Sequence, residues 1–85
     1  MKQFNHIAKY IKTQREAVEL SQTELATAIG YKNGQFISNV ERGLCSLPLC
    51  KIKPTAQALR VNSDWIAEEI VKDFMDTVAE ALRES

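Results

Sequence analysis

Four polar side chains carry the most legible chemistry of this sequence. Gln35, Ser38, Asn39 and Arg42 lie at i, i+3, i+4 and i+7, so on a helix they form one stripe. A carboxamide donates and accepts at once, which suits N6 and N7 of adenine; a guanidinium donates twice, which suits O6 and N7 of guanine. The Ser38 hydroxyl can meet a base or a phosphate oxygen. The plainer alternative is an ordinary solvated helix face. Such faces are usually rich in Glu and Lys, and this stripe has neither.

The elements that must hold this stripe can be read outward from it. Ile37 and Val40 fall on the opposite face, so a helix over about 34–42 would bury them. Tyr31-Lys32-Asn33-Gly34 reads as the turn before it and Gly43 as its stop. The helix before the turn opens at Ser21-Gln22-Thr23-Glu24, which matches the S-x-x-E capping box. Leu25, Ala26 and Ile29 form its inner face, and Gly30 is placed to end it. An earlier helix is expected from an Asn5 cap to about Glu19, with Phe4, Ile7, Ala8, Ile11 and Val18 as its apolar stripe. Arg15 falls on that stripe and must either find an acid or reach back to water. Glu41 borders the inner face of the helix that carries the polar row, and is the candidate partner. Phe36 is open between a thymine-methyl contact and a core role.

Downstream, Leu44 to Pro54 reads as a loop into a fourth helix ending near Leu59. Ile52, Ala56 and Leu59 point inward, and Pro54 is tolerable only in a first turn. A fifth helix is expected from Asn62 or Ser63 to about Arg83. Trp65, Ile66, Ile70, Val71, Phe74, Met75, Val78 and Leu82 give it a broad apolar face. The first two turns read as core. Phe74, Met75, Val78 and Leu82 read as a dimer surface, the alternative being a helix folded back over its own domain.

Bulk properties bound the function. Eighty-five residues make one small domain, and 45% hydrophobic with 26% charged residues suits a packed globule. No apolar run approaches the roughly 18 residues of a membrane span, and the N-terminus lacks a signal-peptide core, so a cytoplasmic protein is expected. Net charge is zero but unevenly distributed: residues 1–60 carry +5 and residues 61–85 carry −5. A polyanion would meet the first part and be repelled by the tail. Cys45 and Cys50 with one distant histidine, His6, make no zinc set, so no metal and no cofactor is expected. No catalytic triad, paired carboxylates or glycine-rich phosphate loop is evident, so no enzyme is expected.

The run Leu20-Ser21-Gln22-x-Glu24-Leu25-Ala26, then Ile29-Gly30, then Ile37-Ser38-Asn39-Val40-Glu41-Arg42-Gly43 and Pro48, resembles the helix-turn-helix family of phage repressors and Cro proteins. The resemblance covers roughly residues 5–70. It implies an all-α, five-helix, lambda-repressor-like domain over residues 1–70; residues 71–85 read, from their apolar stripe, as an extension of helix 5 and a dimerisation segment. It further implies a homodimeric transcriptional repressor that reads a palindromic double-stranded operator with its third helix. An antitoxin-like module that holds a protein partner through helix 5 is the alternative. Carried over by position, Gly34, Gln35 and Asn39 match base-reading places, Gln22 a phosphate-contacting glutamine, and Arg15 and Glu41 the structural ion pair. Ser38 and Arg42 complete the base-reading set. Lys32, Asn33, Lys51 and Lys53 join Gln22 as phosphate candidates. Three features depart from the family pattern: one extra residue between Gly30 and Ile37, the proline in helix 4, and a longer, more acidic tail.

Overall fold

The computed structural model describes residues 3–84. Five α-helices follow in order: α1 Asn5–Ala17, α2 Gln22–Ala28, α3 Gln35–Glu41, α4 Ile52–Leu59 and α5 Ser63–Glu84. A 3-10 turn, Leu49–Lys51, leads into α4, and no strand occurs among the described residues. This is the expected all-α, five-helix architecture with a long last helix.

The apolar stripes converge as their spacing requires. Ile7 and Ile11 of α1, Leu25 and Ile29 of α2, Ile37 and Val40 of α3, Leu59 of α4 and Ile66 of α5 are all buried in one cluster. Each such side chain contributes about 1.5–3 kcal/mol. Leu47, from the segment expected to be a loop, joins them. Short helices of this kind are held by packing more than by propensity.

Local signals set most of the boundaries. The Ser21 hydroxyl accepts from the Glu24 N–H at 3.0 Å, and Glu24 accepts from the Ser21 N–H at 2.8 Å, closing the expected capping box. Gly30 has φ +100°, the left-handed turn that ends α2. Pro54 sits in the first turn of α4, where its missing N–H costs no helical bond. Asn62 caps α5 by accepting from the Asp64 N–H at 2.8 Å.

Two ends of α1 differ from the sequence expectation. Asn5 is the first helical residue rather than the cap, and Phe4 before it makes no side-chain bond. The cap comes instead from α5: Asp73 accepts the His6 N–H at 2.8 Å and the Ile7 N–H at 3.0 Å. Asp73 is 3% exposed. Beside it, His6 Nε2 lies 2.9 Å from Asp76 Oδ2 at the surface. At the other end α1 stops at Ala17, because Glu19 turns the chain at φ +60°.

α5 runs unbroken through residue 70, and its 22 residues give a rod of about 33 Å. It sets the long dimension of a molecule measuring 42 × 24 × 22 Å. Its first turns are core only in part. Ile66 is buried and Ile70 half-buried, but Trp65, expected inside, is exposed because it lies about 100° round the helix from Ile66. No described helix is long and apolar enough to cross a membrane.

Candidate nucleic-acid interface

α2 and α3 make the two arms of the candidate site, and glycine lets them touch. A Cβ on Gly34 would lie 2.9 Å from Thr23 Oγ1 and 3.0 Å from the Thr23 backbone nitrogen. The position matched to base reading by resemblance is therefore a close-packing point at the start of α3. The turn is fixed twice more. Asn33 Oδ1 accepts from the Gln35 N–H at 2.9 Å, covering an otherwise open amide at the α3 start. Tyr31 and Phe36 stack with ring centroids 4.4 Å apart and planes inclined by 16°. Phe36 is thus half-buried packing, one of the two roles left open by the sequence.

The ion pair that anchors α3 forms as expected. Arg15 Nε donates to Glu41 Oε2 at 2.6 Å and Nη2 to Oε1 at 3.0 Å, while Nη1 donates to the Leu20 carbonyl at 2.7 Å. The Arg15 and Glu41 side chains are 11% and 4% exposed. The bond to Glu41 raises the Arg15 pKa above its usual value, outweighing the opposing effect of burial. Gln22 adds a further bond, its Nε2 donating to Glu41 Oε1 at 3.0 Å. One carboxylate thereby joins the end of α1, the start of α2 and the last turn of α3. Removing either ionic partner leaves a buried charge uncompensated, at a cost of about 3–5 kcal/mol.

With Ile37, Val40 and Glu41 committed inward, the polar row is turned outward. Gln35 and Arg42 are exposed, and Ser38 and Asn39 half-buried. Gln35 Nε2 donates to Asn39 Oδ1 at 3.0 Å, so the two amides form one connected group.

The expected phosphate set divides. Lys32 and Lys53 are exposed. Lys51 is engaged within the protein: its ammonium donates to the Ile29 carbonyl at the end of α2, at 2.7 Å, and lies 5.2 Å from the centre of the Tyr31 ring. Gln22 and Asn33 each use one amide atom to hold the scaffold, as described. Sequence reasoning missed the Lys51 clamp, the Gln22–Glu41 bond and the Asp73 cap. Asp73 carried a readable signal, since it lies seven after Ile66 and three after Ile70 on the inner stripe.

On α5, Val71, Phe74, Met75 and Leu82 are exposed and Val78 half-buried, an apolar stripe facing away from the core. Cys45 and Cys50 are free thiols, and burial pushes the Cys45 pKa up. Among the described residues, no group of three or more His, Cys, Asp or Glu side chains could hold a metal ion.

The geometry has counterparts among solved structures. The chain is similar to the clp gene regulator ClgR from Corynebacterium glutamicum, with a TM-score of 0.70 and 16% identity, covering 99% of this chain and 89% of that one. The fold is a helix-turn-helix domain. It is also similar to the wild-type restriction-modification controller protein C.Esp1396I, with a TM-score of 0.64 and 21% identity over 85% of this chain and 91% of that one. No family model matches the sequence, and no curated protein matches it. At these identities the likeness fixes the path of the helix-turn-helix domain and leaves its side-chain chemistry to be argued from its own residues.

Proposed function

We propose that this chain is a sequence-specific double-stranded DNA-binding transcriptional regulator, a repressor, that reads the major groove with α3 as a homodimer. The observation that carries the reading is the outward row Gln35, Ser38, Asn39 and Arg42 on a helix locked by the buried Arg15–Glu41 pair. A short helix that presents amide and guanidinium groups in fixed register suits base edges. The regulator and controller named in the two similar structures support a regulatory rather than enzymatic role. Lys32 and Lys53 are the phosphate contacts of this reading, with the second Nε2–H of Gln22 and the Asn33 amino group as further donors. A two-fold dimer would address palindromic half-sites about one helical turn apart.

Random-site selection followed by gel shift tests the reading. A palindromic site should emerge, with binding that weakens steeply as salt rises. Gln35→Ala or Asn39→Ala should cost about 1–3 kcal/mol on that site and little on random DNA. Equal losses on both would remove the base-reading role.

The dimer interface of the proposal is the stripe Phe74, Met75, Val78 and Leu82. Truncation after Val71 is a poor test, because it also deletes the Asp73 cap. Phe74→Glu and Leu82→Glu change exposed side chains only. Each should give a monomer by sedimentation, and a persistent dimer would place the interface elsewhere. The same stripe favours a second reading, an antitoxin-like module that holds a different protein through α5. Failure to select any DNA site, with a folded chain, would favour that reading.

A further inference from the structure

The bond between Gln35 and Asn39 restricts what the polar row can recognise, given the base-reading role proposed above. Gln35 Nε2 donates to Asn39 Oδ1 at 3.0 Å across one helical turn. That bond takes one lone pair of the Asn39 carbonyl and one hydrogen of Gln35 Nε2. The groups left free are the Gln35 carbonyl oxygen, the second Gln35 N–H and the Asn39 amino group. Together they present one unshared acceptor amid donors.

The major-groove edges of the bases sort against this pattern. Adenine offers an acceptor at N7 beside a donor at N6. Guanine offers two acceptors, so a Gln35 amide laid edge-on across it would set O6 against the Gln35 carbonyl. Cytosine offers only its N4 donor, and thymine only its O4 acceptor beside a methyl group. The mount of the pair is also fixed. The Gln35 backbone N–H is held by Asn33 Oδ1, Gly34 is packed against Thr23, and the last turn of the helix is tied through Glu41 to Arg15. Gln35 is exposed and Asn39 half-buried, so the first reaches outward and the second supports it from one turn below.

We infer that Gln35 and Asn39 act as a single reading unit for the adenine of one A·T pair in each half-site. Gln35 accepts from N6, an N–H of the pair donates to N7, and Asn39 fixes the orientation of the Gln35 amide. The two residues therefore share one base pair instead of reading two.

The test uses the full chain and the DNA site that selection yields. Each adenine of a half-site is replaced in turn by 7-deazaadenine, which lacks the N7 acceptor, and by purine, which lacks the N6 amino group. With the unaltered protein, both replacements should weaken binding at one and the same position, by about 5- to 150-fold, the range of one bidentate pair. Gln35→Ala, Asn39→Ala and the double variant should each lose about that same factor, and all three should lose discrimination at that position. Circular dichroism melting confirms that the variants fold, and the base replacements need no variant. Losses that multiply in the double variant, or that map to two separate base pairs, would overturn the shared unit and leave the DNA-reading proposal standing. No selected site at all would overturn both.

Discussion

Replacing Asp73 with alanine should destabilise the domain by about 3–5 kcal/mol. Its carboxylate accepts two N–H groups at the start of α1, at 2.8 and 3.0 Å, and is 3% exposed. A hydrogen bond to a charged acceptor contributes about 1.5–3 kcal/mol, and a carboxylate at a helix N-terminus adds about 0.3–1 kcal/mol. The two bonds and the helix dipole thus give about 3–7 kcal/mol gross. Releasing the buried charge from its desolvation penalty returns part of this. Phe4 supplies no replacement cap. Asp73→Asn keeps one carbonyl acceptor and loses the charge, so about 1.5–3 kcal/mol is expected. Asp76→Ala is the control: its partner His6 and its own side chain are 42% and 69% exposed, and an exposed pair contributes about 0–1 kcal/mol. Urea unfolding at constant protein concentration reads all three, because a slope of about 1–3 kcal/mol per molar turns these losses into separable midpoints. An Asp73→Ala loss below about 1 kcal/mol, or one equal to that of Asp76→Ala, would refute the capping role.

Lys51→Met should lower stability by about 1–2 kcal/mol by freeing the Ile29 carbonyl, and leave the salt slope of DNA binding unchanged. Lys53→Met should do the reverse, reducing that slope by about 1 without loss of stability; an interchange of the two outcomes would return Lys51 to the phosphate set. Gly34→Ala should cost about 1–3 kcal/mol in urea unfolding, since its Cβ would meet Thr23 at 2.9 Å; an unchanged midpoint would mean that α2 and α3 can part there freely. The Ser21 amide and then its hydroxyl hold the Glu24 pKa below its ordinary 4.5. A lowered folded-state value means that the contribution is complete above the ordinary value and lost as pH falls through the folded one. The stability gap between the parent and Glu24→Gln should therefore close as pH drops below about 4.5, and a gap that widened on acidification would contradict the assignment.

The parts legible in the sequence are those whose signals are local. Ser21 and Glu24 meet across three residues, and Gly30 acts on its own turn. The Arg15–Glu41 pair was also foreseeable, because each charge lay on or beside an apolar stripe where water could not serve it. The less legible contacts join groups whose local neighbourhoods look ordinary. Lys51 flanks a proline-containing helix and resembles any exposed basic residue, yet a carbonyl 22 positions earlier takes its ammonium. Gln22 and Asn33 look like free amides until Glu41 and the Gln35 N–H are brought beside them. Size and apolarity alone would put Trp65 inside, but the helical angle decides: Ile66 takes the inward position, and its neighbour must point elsewhere.

The Asp73 cap also orders events in time. His6 and Ile7 are made 67 and 66 residues before the carboxylate that receives their N–H groups. On the ribosome, α1 can emerge and coil, but its first turn stays open until α5 has followed it out. A contact of this sequence separation closes a loop of nearly the whole chain, which slows folding relative to a bundle held by neighbours alone. The helix-turn-helix segment, Ser21 to Gly43, lies wholly inside that loop. A chain interrupted before residue 73 could hold every residue of α3 and still lack the clasp that closes the fold around it.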